Sequence, residues 1–216
     1  MNLGIFCAGS LGIEILSVLS QEEKRYEEIY FIDDVTDKKQ IEGMTVYKFE
    51  EMKNLFTEKE IEIVIATGEP LHRERLYEKV KNSGYSFATI ISKYAFVSSN
   101  AIIEPGVVIF PHVYIGPNCI LHHNTIIHAN TNIVGEAEIG CNSFLSLGVF
   151  VGDSTYIDTN VFIGPNAAIS DHIHIGKFSI IGIGTVVIKD IEADTVNVGV
   201  PSKMIRKNEQ RIVFAN

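Results

Sequence analysis

The sequence has 216 residues, of which 46% are hydrophobic and 21% charged, a balance typical of a folded chain with one large domain or two smaller ones. The formal net charge of −9 argues against nucleic acid as a partner, because a phosphate backbone selects basic surfaces. No run approaches the roughly 18 apolar residues of a membrane span, so we expect no membrane partner. Residues 1–10 lack the basic segment of a secretory signal, and Cys7, Cys119 and Cys141 have no paired spacing. These features predict a cytoplasmic protein with reduced thiols.

The first 93 residues alternate strand-like and helical segments, which predicts a small α/β domain with a parallel sheet. The predicted strands cover residues 3–6, 29–32 and 61–66, and the predicted helices cover 13–19 and 70–82, the second opening with Pro70. Ligands bind beyond the carboxyl ends of parallel strands. The residues that follow these strands, and so are expected near one sheet edge, are Gly9, Gly12, Asp33 and Gly68.

The period changes in the second part of the chain. An aliphatic residue recurs at every sixth position from Val97 to Val187, in sixteen consecutive repeats without an insertion. A small or β-branched residue follows most of them after four positions, for example Cys119, Thr125 and Ala137, with Ile173 as a bulky exception. Neither a helix nor a single strand needs a six-residue period, whereas a solenoid of short parallel strands does. We therefore predict such a solenoid over residues 94–216, with one aliphatic side chain of each strand on its axis.

The six-residue repeats, for example VFIGPN at 161–166, resemble the left-handed β-helix of hexapeptide-repeat acyltransferases. With FIDD at 31–34 and GVPSK at 199–203, the whole chain resembles the sugar acetyltransferases in which a Rossmann-like nucleotide-sugar-binding domain precedes the β-helix. Sialic acid O-acetyltransferases and the N-acetyltransferases of bacillosamine and perosamine pathways belong to that family. The resemblance implies a Rossmann-like domain at 1–93, a left-handed parallel β-helix acyltransferase domain at 94–216, and a homotrimer.

The resemblance also implies an activity, the transfer of an acetyl group from acetyl-CoA to a nucleotide-linked sugar in surface-glycan biosynthesis. In the family, acetyl-CoA lies between neighbouring β-helices, where small residues leave room for its pantetheine arm. The acetyl-CoA-binding residues implied for this chain are Gly164, Gly182, Gly184 and Lys203, the last facing a CoA phosphate. Alternatively, the three glycines are ordinary corner residues of the solenoid.

A glycine-rich first turn accommodates the nucleotide sugar in that family. The nucleotide-sugar-binding residues implied here are Gly9, Ser10, Asp33 and Asp34, the two carboxylates accepting hydrogen bonds from ribose or base. Cys7 stands where the family has its first glycine. Alternatively, the two aspartates only end their strand with a turn.

The six-residue repeat that holds the catalytic histidine in this family differs in this chain. Counted along the gapless repeat, the family's general-base histidine falls on Gly135 and a second family histidine on Phe144, whereas the acidic partner remains as Glu136. A free amine attacks a thioester unaided when it is well positioned, so an amino group is favoured over a hydroxyl as acceptor. Glu136, or a displaced histidine such as His123 or His128, is then expected to accept the proton.

Two other functions stay open. His123 and His128 resemble the paired zinc histidines of γ-class carbonic anhydrases, which share the β-helix, but the expected third position holds Phe110, so no catalytic metal is predicted. The missing histidines also fit a catalytically inactive trimeric sugar-binding or scaffold protein. In a plainer interpretation, His122, His123 and His128 only fill an interface between chains with hydrogen-bonded groups.

Overall fold

In the computed structural model, which describes residues 1–21 and 23–214, an N-terminal α/β domain precedes a parallel β-helix. The elements of the first domain are β1 (Asn2–Phe6), α1 (Ser10–Leu19), β2 (Ile29–Ile32), β3 (Gln40–Ile41), β4 (Met44–Tyr47), α2 (Phe49–Leu55), β5 (Ile61–Ile65) and α3 (Pro70–Asn82). Their sheet has the order β3-β4-β2-β1-β5, and it is parallel except for the short pairing of β3 with β4. The predicted strands and α3 are confirmed within one residue, whereas α1 begins three residues earlier than predicted.

The remaining strands form three flat faces of a prism. Face A consists of Phe96–Val97, Tyr114–Ile115, Asn132–Ile133, Phe150–Val151, Ala168–Ile169 and Val186–Val187. Face B consists of Ile102–Ile103, Ile120–Leu121, Glu138–Ile139, Tyr156–Ile157 and His174–Ile175. Face C consists of Ile90–Ile91, Val108–Ile109, Ile126–Ile127, Phe144–Leu145, Phe162–Ile163, Ile180–Ile181, Thr195–Val198 and Lys203–Lys207.

One coil of the β-helix takes eighteen residues, since Ile126 pairs with Phe144 and the same step repeats along each face. The second residue of each two-residue strand points to the axis, and most of these side chains are fully buried in one continuous core. The predicted role of the six-residue repeat is therefore confirmed. In the coil around Ile126, the BC edge covers 122–125, the CA edge 128–131 and the AB edge 134–137, and these edges recur in every coil.

Each edge bends through a residue in the left-handed backbone region. Asparagine, which tolerates positive φ better than most residues, occupies many of these positions, for example Asn118, Asn124 and Asn142. Glu136 holds the same type of position at the AB edge, with φ of 59°. The fold therefore fixes the backbone of Glu136 while leaving its side chain outside.

The N-terminal domain packs on face C. The outward first residues of the face C strands share a core with β1 and α1, and they include Val108, Ile126, Phe144, Phe162 and Ile180. Face C is thus apolar on both sides, as expected for parallel strands covered on both faces. A cleft remains where the start of α1 meets the CA edge.

Candidate active site

The cleft is a cavity of about 560 Å³ between the first turns of α1 and the CA edge. Ser10, Leu11 and Glu14 line it from α1. Because one coil takes eighteen residues, the residues that follow successive face C strands stack in one column along the edge. The column is His128, Ser146, Gly164 and Gly182, and its first three members line the cleft. The structure thus brings together His128, Gly164 and Ser10, which the sequence implicated in three different roles.

His128 is 9% exposed and faces the N-terminal domain of its own chain. Its ring stacks on Phe110 at a centroid distance of 4.3 Å. Its Nε2 lies 2.8 Å from Oε2 of Glu14, and the backbone N–H of Ala129 donates to its Nδ1 at 2.9 Å. His128 is therefore covered by α1 of its own chain, and a role between chains stays a prediction.

His122 and His123 lie on the BC edge, away from the cleft. His123 stacks on Tyr77 of α3 at 4.5 Å, and its Nδ1 lies 3.3 Å from Sγ of Cys141. His122 bridges two carboxylates, with Nδ1 3.0 Å from Glu104 and Nε2 2.8 Å from Glu138. Both side chains are therefore partnered within the chain, and the catalytic role of His123 stays a prediction.

The bridge at His122 makes stability depend on pH. Partial burial alone lowers the pKa of His122, but the hydrogen bonds that its ring donates to Glu138 and Glu104, together with the charges of these carboxylates, outweigh burial, so the pKa lies above the usual 6.5. A raised folded-state pKa contributes stability that is complete below about pH 6.5 and is lost as pH rises through the folded value.

We expect His122→Gln to lower the free energy of unfolding by about 1 kcal/mol near pH 5.5, since the groups are partly exposed. The difference from the wild type should shrink steadily as the pH rises above neutrality, because His122 is then neutral in both states. Denaturant titrations at several pH values measure this, with the exposed His72→Gln on α3 as the control. A difference that grows with pH contradicts the assignment.

Glu136 lies on the AB edge, away from the other two candidate catalytic residues. Its side chain is exposed and makes no hydrogen bond or ion pair within the part of the chain that the structure describes. The adjacent Gly135 is buried, and a Cβ there would lie 3.2 Å from the carbonyl oxygen of Pro117. The three candidate catalytic residues thus occupy three different edges, and one chain does not bring them together.

The implied acetyl-CoA residues differ in their surroundings. A Cβ on Gly164 would lie 2.8 Å from the backbone nitrogen of Ile183, and one on Gly182 would lie 2.7 Å from Cγ1 of Val198, so both glycines permit close packing of successive strands. Gly184 has φ of 62° with open space beside it, and Lys203 is exposed on the last strand. Their contacts with acetyl-CoA stay predictions.

The first turn of the α/β domain is organised by Asp33. One carboxylate oxygen of Asp33 accepts a hydrogen bond from the Ala8 N–H at 2.9 Å, and the other accepts from the N–H groups of Val35 and Thr36 at 2.8 and 2.9 Å. Burial alone raises the pKa of Asp33, but these donors outweigh it and hold the pKa below its usual range. Asp33 therefore ends its strand with a turn, and a nucleotide contact of its carboxylate stays a prediction.

The neighbouring residues of this turn also have partners. Asp34 pairs with Nζ of Lys79 at 2.6 Å and accepts the N–H of Phe49 at 2.9 Å. Cys7 has φ of 85°, a region that favours glycine. This accounts for the glycine at the same position in the family that the chain resembles. Burial, followed by the charge of Asp33, raises the pKa of the Cys7 thiol to about 12, so this thiol is neutral at physiological pH.

Glu14 and Ser146 are cleft residues that sequence reasoning did not single out. Ser146 lies eighteen residues after His128, so the coil length places it in the same column. Glu14 carries no such signal, because its position depends on how the two domains dock. Across residues 1–21 and 23–214, no group of three or more His, Cys, Asp or Glu side chains is arranged to hold a metal ion.

The chain matches one sequence family and several proteins of known structure. The PglD N-terminal domain family matches residues 2–80. The acetyltransferase domain of PglB from Neisseria gonorrhoeae FA1090 superposes with a TM-score of 0.87 at 23% identity, over 94% of this chain and 99% of that one. PerB from Caulobacter crescentus, solved with CoA and GDP-perosamine, gives a TM-score of 0.76 at 21% identity, over 95% and 98%. WeeI from Acinetobacter baumannii AYE gives 0.69 at 20% identity, over 95% and 100%.

No curated protein matches the chain in sequence. In the described part of the chain, no helix has the length and apolar character needed to cross a membrane. At these identities the structural matches establish the fold, and the predicted fold class is confirmed. Residues 2–80 thus match the PglD N-terminal domain family, and the chain as a whole has the α/β domain and left-handed β-helix of the PglB acetyltransferase domain and PerB.

Proposed function

We propose that the chain is an acetyl-CoA-dependent acetyltransferase that acts on a nucleotide-linked amino sugar and works as a cytoplasmic homotrimer. The observation that carries this proposal is the cleft, in which Ser10 from the sugar-nucleotide side meets Gly164 and His128 from the β-helix side. The PerB structure, which shares the fold, contains CoA and GDP-perosamine. An acceptor bound beside Ser10 lies next to the column along which acetyl-CoA is expected to run.

The reaction needs little from the protein beyond positioning. The amine nitrogen attacks the thioester carbonyl, the new C–N bond forms, and the C–S bond breaks to release CoA as a thiol after the nitrogen has lost one proton. Because an amine is already nucleophilic, holding the two reactants in line supplies much of the acceleration. This accounts for transfer in a chain that has Gly135 where the family has its histidine.

The outer faces of the β-helix support the trimer. Phe96, Tyr114 and Phe150 project from face A with 58%, 39% and 44% of their surface exposed, and the first two rings stack at 5.2 Å. Such a row of aromatic side chains is typical of a surface covered in an assembly. In a trimer these faces meet, and the AB edge that holds Glu136 then approaches a neighbouring chain.

The direct test is release of CoA thiol from acetyl-CoA in the presence of UDP-, GDP- and dTDP-linked amino sugars. Each amino sugar is paired with its hydroxyl counterpart, which separates N- from O-acetylation, and mass spectrometry of the product shows an added acetyl group. We expect turnover with at least one amino sugar. Release with none of them, in a folded trimer, favours the sugar-binding or scaffold alternative.

A further inference from the structure

We propose that Glu14 is the proton acceptor of the transfer reaction and that His128 positions it. This inference rests on the proposed function and deepens it, because it assigns the role that the family's histidine cannot play in this chain. It depends on three observations, which are the hydrogen bonds of His128, the exposure of Glu14, and the position of both residues in the cleft.

The hydrogen bonds fix where the proton of His128 lies. The N–H of Ala129 donates to Nδ1 at 2.9 Å, so Nδ1 is the unprotonated nitrogen of the neutral ring. Nε2 therefore carries the hydrogen and donates it to Oε2 of Glu14 at 2.8 Å. In this arrangement neither ring nitrogen has a free lone pair for a substrate proton, and His128 serves as a donor that holds the carboxylate.

Burial differs sharply between the two partners. The side chain of His128 is 11% exposed, whereas that of Glu14 is 48% exposed. The stacking of His128 on Phe110 fixes the imidazole. Within residues 1–21 and 23–214, Glu14 has no polar partner besides His128, so its Oε1 is unpaired on a residue that lines the cleft. An anchored donor thus holds a carboxylate whose second oxygen is available to a ligand.

The surroundings suit a carboxylate that meets an amine. Leu11, Phe144 and Phe162 also line the cleft, and no lysine or arginine is among its described lining residues. A negative charge on a largely apolar wall attracts the positive charge that develops on the attacking nitrogen. Glu136 lacks such a setting, since it projects from the AB edge and no described residue holds its side chain.

Bonds, protons and charges balance in the proposed step. The amine nitrogen bonds to the acetyl carbon and becomes cationic, Oε1 of Glu14 takes one proton from it, and the C–S bond breaks. The CoA sulfur leaves with its electron pair and takes up one proton, so the carboxylate returns to its charged form when it passes its proton to the sulfur or to water. No oxidant, reductant or metal is needed.

The first test compares three isosteric variants, Glu14→Gln, Glu136→Gln and Glu78→Gln. Turnover is measured as CoA thiol release with acetyl-CoA and the best amino-sugar nucleotide of the panel. Glu14→Gln should lower kcat by about 100-fold, in the range usual for loss of a general base, with an unchanged melting temperature. Glu78 is exposed on α3, and its variant should match the wild type. A kcat loss confined to Glu136→Gln overturns the assignment.

The second test separates positioning from simple structural support. His128→Phe keeps the stacking on Phe110 but removes the donor to Glu14, and His128→Gln restores an N–H near the position of Nε2. We expect the phenylalanine variant to lower kcat by about tenfold or more with little change in KM for acetyl-CoA, and the glutamine variant to recover most of the loss. Equal activity of both variants contradicts a positioning role.

The outcomes distinguish this inference from the function on which it rests. If the wild type releases no CoA with any amino sugar, both proposals fail. If the wild type is active and Glu14→Gln keeps its kcat, the acetyltransferase assignment stands and the role of Glu14 is refuted.

Discussion

Replacing Arg73 by methionine is expected to lower the free energy of unfolding by about 3–5 kcal/mol, because the guanidinium joins the two domains from a fully buried position. Arg73 has no exposed surface. Its Nη1 donates to the carbonyl oxygens of Ile65 and Thr67 at 2.9 and 3.0 Å, and its Nη2 donates to Oδ1 of Asn124 at 2.8 Å. Its Nε also donates to the Asn124 carbonyl at 3.1 Å. Methionine fills the space but leaves these acceptors without donors.

Burial also lowers the pKa of Arg73 to about 9, so the side chain is cationic at neutral pH although no carboxylate among the described residues pairs with it. The matched control is Arg75→Met, since Arg75 is exposed on the same helix, and it should change stability by less than about 0.5 kcal/mol. Denaturant unfolding followed by circular dichroism gives both values. Equal values for the two variants refute the role of Arg73 as the link between the domains.

The second large effect is expected at Gly12, where an added methyl group has no room. A Cβ at this position would lie 2.4 Å from the carbonyl oxygen of Cys7 and 3.0 Å from Cε1 of Phe31. The first of these atoms is backbone and cannot rotate away, so Gly12→Ala forces α1 off the sheet. We expect a loss of about 2–3 kcal/mol in the free energy of unfolding.

Gly9 provides the comparison within the same turn. A Cβ on Gly9 meets nothing within 4 Å, and its φ of −87° suits any residue. Gly9→Ala should therefore lower the free energy of unfolding by about 1 kcal/mol at most, because alanine is a poorer N-cap than glycine but meets no steric clash here. Thermal unfolding of both variants tests the pair, and similar melting temperatures would mean that the close approach of α1 to β1 is not needed. A raised KM for the sugar nucleotide in Gly9→Ala supports the predicted role of Gly9.

Much of the fold can be predicted from the sequence, because residues 1–93 alternate strand and helix patterns and the later residues keep a strict six-residue repeat. The aliphatic residue of each repeat, such as Ile127 or Leu145, points to the axis of the β-helix as predicted. Residues 40–55 escaped prediction, since β3 has only two residues and turns at Glu42 and Gly43 into a short β4. Such short elements have too few residues to show a hydrophobic period. Their conformation is set by pairing with other strands of the sheet.

The candidate site follows from the sequence only in part. His128, Ser146 and Gly164 are each eighteen residues apart, the length of one coil, so the repeat alone predicts that they stack in one column. The contacts of Glu14 and Arg73 connect residues 114 and 51 positions apart in sequence, and they arise from the docking of two domains that no local pattern encodes. This docking also explains why His128 faces its own chain, although an outward position on a bare β-helix suggested an interface.

The central claim, that the chain uses acetyl-CoA, is tested most directly by calorimetric titration of the purified protein with acetyl-CoA, alongside its thermal unfolding. A ligand at 100 times its dissociation constant stabilises the folded state by about 2.7 kcal/mol, which shifts the melting temperature measurably. We predict saturable binding with one acetyl-CoA per chain and a higher melting temperature. An absence of both heat and stabilisation at millimolar acetyl-CoA would contradict the acetyltransferase assignment.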